Sequence, residues 1–345
     1  MSTLQVYQWQ QDAWRYFTGL QSRLPHAFLL HGPAGTGKRH FAERMAKALL
    51  CETPDAAGQA CGHCGSCGWF EQYSHPDYRR IRPEVLEEDE GSGDAEAETS
   101  TAKSSRSKAP SKEIVIHQIR ALAEMMNIST HRNGKRVIVL YPAEAMNIPA
   151  ANALLKSLEE PHPNTVFILV SDSLDKLLPT IVSRCHQLAL GMPTREAALA
   201  WLQQQGVADA ANWLALQGGA PLAAMEIAAS EQKAELETML GMLAQPSADL
   251  SLKLADKMQK TDLPLVVSWL QRWVYDVFSV KQTGIIRYYP RYDKEIRSLA
   301  SRCNLHDLMR LSKSLGERQA IASHPLSPKL FLEDVFLEYA SAFSS

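Results

Sequence analysis

Three short stretches of the chain, residues 26–31, 136–140 and 165–170, are apolar almost without interruption. None alternates apolar with polar positions, so each predicts a strand covered on both faces, as in a parallel sheet. Between them the apolar spacing changes to three and four. Ile119, Leu122, Ala123 and Met126 predict a helix over 116–127, and a second helical pattern covers 150–160. Strand and helix alternate, so the first half is expected to be α/β with a mainly parallel sheet. Beyond Met192 and Pro193 only helical spacing remains. Thr194 is placed to cap a helix reaching Leu202, with Glu196 near its positive end. A short helical region is expected to about Ser230, and longer helices from Glu231 to the end. The apolar stretch 263–280 is broken by Arg272 and Asp276, which predicts a buried helix. Trp269, Arg272, Trp273, Tyr275 and Phe278 share helical spacing within it, and a later pattern runs over 326–343. An ordinary helical core explains both.

Composition narrows the picture. The 345 residues exceed one ordinary core, and 45% hydrophobic with 21% charged residues is the profile of a soluble, multidomain globular protein. Residues 1–11 lack a basic stretch followed by an apolar one, and no apolar run reaches the roughly 18 residues that span a bilayer. A cytoplasmic protein without membrane contact is expected. A net charge of -2 argues against a free-standing nucleic-acid binder, so any DNA contact must come from a local patch or from partners. Residues 84–112 shift abruptly to acidic positions followed by Ser, Ala, Thr and Lys. Such a segment buries too little apolar surface to offset its ordering entropy and predicts a disordered surface insertion.

Of six cysteines, Cys51, Cys61, Cys64 and Cys67 crowd into one loop. In a chain read as cytoplasmic that clustering favours a metal over disulfides. Four thiolates close a tetrahedral structural zinc site with no open position for catalysis. His63 can stand in for one of them, and free structural thiols are the competing reading. Cys185 and Cys303 stand alone and are expected to be buried.

Residues 32–39, Gly-Pro-Ala-Gly-Thr-Gly-Lys-Arg, match the phosphate-loop pattern at Gly32, Gly37 and Lys38 but not at the final Ser or Thr. The glycines, Gly35 among them, let backbone N–H groups turn toward phosphate, and Lys38 supplies a point charge. The missing hydroxyl is the one that ligates Mg²⁺, and Arg39 has no oxygen to offer. The strand 136–140 runs into Tyr141 and Pro142, where an Asp-Glu pair would ordinarily hold metal and activate water. Glu144 follows but reads as a helix or loop residue. Independent ATP hydrolysis is therefore not expected. Two readings of the loop stay open: it holds nucleotide weakly, or it is a relic turn that packs a helix on the sheet.

Residues 27–38, the cysteine cluster, Ser74-His-Pro-Asp77, residues 152–161 (Asn-Ala-Leu-Leu-Lys-Ser-Leu-Glu-Glu-Pro) and Ser183-Arg184-Cys185 together resemble the clamp-loader subunits of bacterial DNA polymerase III. The resemblance covers about residues 6–185 well and the helical remainder by pattern. It implies an AAA+ P-loop domain with a parallel sheet over 1–190, carrying a zinc module at 51–67 and the insertion at 84–112. A small helical lid over 191–235 and an all-α collar over 236–345 would follow. It further implies that Arg184 is an arginine finger acting in trans, for which a charged, bidentate guanidinium is suited. Ser171 falls at the family's sensor position, and Pro221 stands about where a second sensor arginine is expected. Glu159 and Glu160, adjacent on a helix that Pro161 ends, read as structural rather than as a catalytic pair. The implied partners are the gamma/tau and delta subunits and, through the complex, the sliding clamp and primed DNA. The chain would be a non-hydrolysing part of a nucleotidyltransferase complex, a DNA-directed DNA polymerase. Two other readings remain: an active P-loop ATPase or nucleotide kinase, and a zinc-stabilised interaction module.

Overall fold

The three apolar runs become the central strands of one parallel sheet. In the computed structural model, which describes residues 6–20, 23–89, 110–126, 130–131, 134–247, 249–324 and 327–343, the chain divides into two compact units at Met192 and Pro193. The first unit contains, in order, α1 (Gln11–Gly19), β1 (Ala27–His31), α2 (Lys38–Leu50), α3 (Gly65–Glu71), β2 (Tyr78–Ile81), α4 (Glu84–Asp89), α5 (Ile116–Met126), β3 (Arg136–Leu140), α6 (Ile148–Glu159), β4 (Thr165–Ser171), α7 (Pro179–Val182) and β5 (His186–Ala189). The strand order is β2-β3-β4-β1-β5, all parallel.

Side chains alternate across that sheet, as strand geometry requires. Phe28, Leu30, Val137, Val139, Ile168 and Val170 pack on one face with Trp14, Phe17, Phe41 and Met45. Leu29, Ile138, Leu140, Phe167 and Leu169 pack on the other with Leu122, Leu154 and Leu158. The two strands absent from the sequence reading, β2 and β5, are the sheet's edges. They carry Arg79 and Arg80, or His186 and Gln187, because one side of an edge strand is open and polar residues are tolerated there.

Part of the segment expected to be disordered, residues 90–109, lies outside the described residues. Its flanks are ordered, which corrects the expectation at both ends. Residues 84–89 form α4, the Ser111 backbone N–H donates to the Glu84 carboxylate at 2.9 Å, and the Val85 N–H donates to the Ser111 carbonyl at 3.2 Å. These bonds tie the ends together locally, which composition alone does not reveal.

The α-helices of the second unit, in which no strand occurs among the described residues, are α8 (Arg195–Gln204), α9 (Ala210–Leu216), α10 (Pro221–Ala229), α11 (Gln232–Leu243), α12 (Leu250–Met258), α13 (Leu263–Thr283), α14 (Asp293–Arg302), α15 (Leu305–Ile321) and α16 (Pro328–Phe343). Thr194 caps α8, its hydroxyl accepting from the Ala197 N–H. One cluster of buried side chains runs from Ala198 to Phe343. Trp269 and Trp273 are fully buried on α13. The Trp273 indole donates to the Tyr339 hydroxyl at 2.9 Å, and that hydroxyl donates to the Leu243 carbonyl at 2.8 Å. Among the described residues no helix is long and apolar enough to cross a membrane.

Candidate functional site

The phosphate loop connects β1 to α2. Gly32, Gly35 and Gly37 all take positive φ, at 147°, 70° and 90°. At Gly32 this is enforced by contact as well, since a Cβ would lie 2.1 Å from the Leu190 carbonyl oxygen. At Gly37 a Cβ would meet the Tyr7 ring at 2.6 Å. Tyr7 stacks on Trp9, and the Trp9 indole and Gln10 amide both donate to the Thr36 carbonyl at 3.0 Å. Sequence reasoning missed this support, because 6–19 carries no motif.

Lys38 opens α2, and its side chain is only 3% exposed. Its ammonium lies 2.6 Å from an Asp172 carboxylate oxygen and donates to the Pro33 carbonyl at 2.5 Å. Asp172 follows β4, and its N–H donates to Glu144 at 2.9 Å. Glu144 therefore sits beside the loop, positioning Asp172. Ser171 is fully buried, and its hydroxyl bonds within its own turn: it donates to the Ser173 carbonyl at 3.0 Å and accepts from the Ser173 N–H at 3.1 Å. Arg39 points elsewhere, its Nε donating to Glu43 at 3.2 Å and its guanidinium lying 4.8 Å from the centre of the Tyr141 ring. A tyrosine at the end of β3 thus packs against a guanidinium where a metal-binding acid is absent. Pro221 lies buried in the first turn of α10.

Arg184 belongs to a different place. It precedes His186, the first paired residue of β5, which lies level with Phe28 near the start of β1. The phosphate loop follows His31, the other end of β1. At about 3.3 Å per residue the strand separates Phe28 from His31 by roughly 10 Å. Arg184 remains 35% exposed, contacts Glu159 at 2.6 Å and donates to the Thr180 carbonyl at 3.0 Å. Glu159, from the end of α6, is thus the residue that holds the arginine. Next to it, burial pushes the Cys185 thiol up to about 12.

The four clustered cysteines converge where α2 ends and α3 begins, with all four Sγ atoms within 4.8 Å of one another. Cys51 and Cys64 lie 3.9 Å apart, and Cys61 and Cys67 lie 4.0 Å apart. A tetrahedral ion with metal–sulfur bonds of about 2.3 Å sets its ligands ~3.8 Å apart, so the donor set fits. Backbone N–H groups of Cys61, Cys64 and Cys67 point at the sulfurs of Cys51, Cys61 and Cys64, at 3.2, 3.4 and 3.4 Å. The hydroxyl of Thr53, then the His63 N–H, hold the Cys61 thiol down to about 5, whereas burial raises Cys51 and Cys67. A cation at their centre would favour the thiolate form of all four. His63 stays outside the cluster, its ring nitrogen 2.9 Å from the Cys61 carbonyl. Among the described residues this is the one grouping arranged to hold a metal ion, and it would do so as a closed structural site.

Residues 10–194 match the family described as DNA polymerase III, delta subunit. A DNA polymerase III subunit delta' from Pseudomonas aeruginosa is 37% identical over 325 residues, covering 92% of this chain and 86% of the relative. One from Yersinia pestis is 28% identical, covering 98% of this chain and 96% of the relative. The crystal structure of a DNA polymerase III gamma subunit-related protein from Thermotoga maritima superposes with a TM-score of 0.51 at 16% identity, over 96% of this chain and 98% of that one. That likeness shows a shared fold.

Proposed function

The chain belongs to the DNA polymerase III delta-prime family, and from that premise we propose that it is a clamp-loader subunit which hydrolyses no ATP itself and lends Arg184 to a neighbour's ATP site. The observation that carries this reading is the position of Arg184. It is a partly exposed guanidinium at the opposite end of β1 from the chain's own phosphate loop, held by one carboxylate and one carbonyl. An arginine so placed serves a phosphate presented from outside. The absent metal ligands support the other half of the reading. Arg39 packs on Tyr141, Ser171 bonds within its own turn, and Lys38 has an internal counter-ion. Zinc in the four-cysteine cluster would fasten α3 to the end of α2. The helical second unit would supply the lid and the collar through which gamma/tau and delta subunits join, and Leu330 and Leu337 lie exposed on α16 for such a contact. Through that complex the chain would help place a sliding clamp on primed DNA.

Arg184→Lys tests the finger. It keeps the charge and loses the planar fork, so a loader reconstituted with gamma/tau and delta should assemble normally and hydrolyse ATP far more slowly. Unchanged turnover contradicts the proposal, as does appreciable Mg²⁺-dependent hydrolysis by the purified chain alone.

A further inference from the structure

The loss of metal ligands argues against ATP hydrolysis at the loop, as proposed above, but it leaves metal-free phosphate binding open. Here the fold adds a second obstacle. The buried Lys38 ammonium uses two of its three donors inside the protein, one on the Asp172 carboxylate and one on the Pro33 carbonyl of the loop itself. The backbone that presents the Asp172 carboxylate is held on both sides: the Asp172 N–H donates to Glu144, and the preceding Ser171 bonds within its own turn. We propose that Asp172 is an internal substitute for phosphate, an autoinhibitory carboxylate that keeps nucleoside and inorganic polyphosphates off the loop.

The chemistry follows from the charges. A phosphate oxygen reaching Lys38 must displace a carboxylate already 2.6 Å away, and an undisplaced one repels it. Tyr7, Trp9 and Gln10 meanwhile brace Thr36 and Gly37 through contacts that do not involve Asp172. Removing the carboxylate should therefore open a site rather than collapse one. This inference goes beyond the role given to Arg184 and does not depend on it, since its readout is ligand bound to the chain alone.

The test is calorimetric titration of the purified full-length chain with pyrophosphate and with ADP, in the presence and absence of Mg²⁺. Asp172→Ala and Asp172→Ser should each bind at least about tenfold more tightly than the unaltered chain, equivalent to ~1.4 kcal/mol. Adding Lys38→Ala to either variant should abolish the gain. Melting curves for every variant establish that it is folded. Equal affinity in the unaltered chain and both Asp172 variants overturns the proposal, and so does a gain that survives Lys38→Ala.

Discussion

Lys38 and Arg184 are both cations of the same α/β unit, and the structure treats them in opposite ways. Lys38 lies in the more conspicuous motif and is 3% exposed, neutralised by Asp172. Arg184 lies in a tripeptide that says little by itself and is 35% exposed, with Glu159 at its side. The backbone of a motif can be structurally needed independently of its chemistry. Gly32 illustrates this: its positive φ and the adjacent Leu190 carbonyl demand glycine whether or not phosphate binds. The loop side of the unit is therefore expected to matter for stability, and the arginine side for chemistry performed elsewhere.

The largest effect should come from stripping metal from the four-cysteine cluster, which begins where α2 ends. Structural zinc sites carry apparent binding free energies on the order of 10 kcal/mol at neutral pH. A strong chelator should thus produce the greatest fall in melting temperature, with release of one equivalent of zinc measurable by a colorimetric indicator. Gly32→Ala comes next. The added Cβ would strike the Leu190 backbone in a conformation alanine avoids, so a loss of about 3 kcal/mol in denaturant titration is expected. Lys38→Met should cost less, about 1–2 kcal/mol, because the Asp172 left behind is 46% exposed and can be hydrated. Smallest is Arg184→Ala. Its ion pair lies at the surface, so urea unfolding should shift by under about 0.5 kcal/mol. A reversed order for the last two would break the division between a structural loop and a chemical arginine.

Much of this architecture is legible in the sequence, and what is not has physical reasons. The uninterrupted apolar runs revealed β1, β3 and β4 because central strands of a parallel sheet are buried on both faces. The edge strands β2 and β5 lacked that signal, and α1 carried no motif to draw attention to it. Cysteine spacing anticipated a cluster because its ligands are local in the chain. The partners of the two cations were not legible. Asp172 reaches Lys38 from the end of the neighbouring strand β4, and Glu159 reaches Arg184 from the end of α6. Such pairings depend on strand order and register, which spacing along one chain does not encode. Glu159 and Glu160 show the point well: only the first holds the arginine, and helix phase alone does not select it.

The central claim is that Arg184, and not Lys38, is the chemically active cation. It is tested most directly by measuring ATP turnover in reconstituted loaders carrying Arg184→Ala or Lys38→Ala, each verified to have the composition of the unaltered complex. The account predicts that Arg184→Ala lowers turnover by about 10³, the lower range for an arginine finger, while Lys38→Ala leaves it near the unaltered rate. Equal losses in the two complexes, or undiminished turnover with Arg184→Ala, would contradict it.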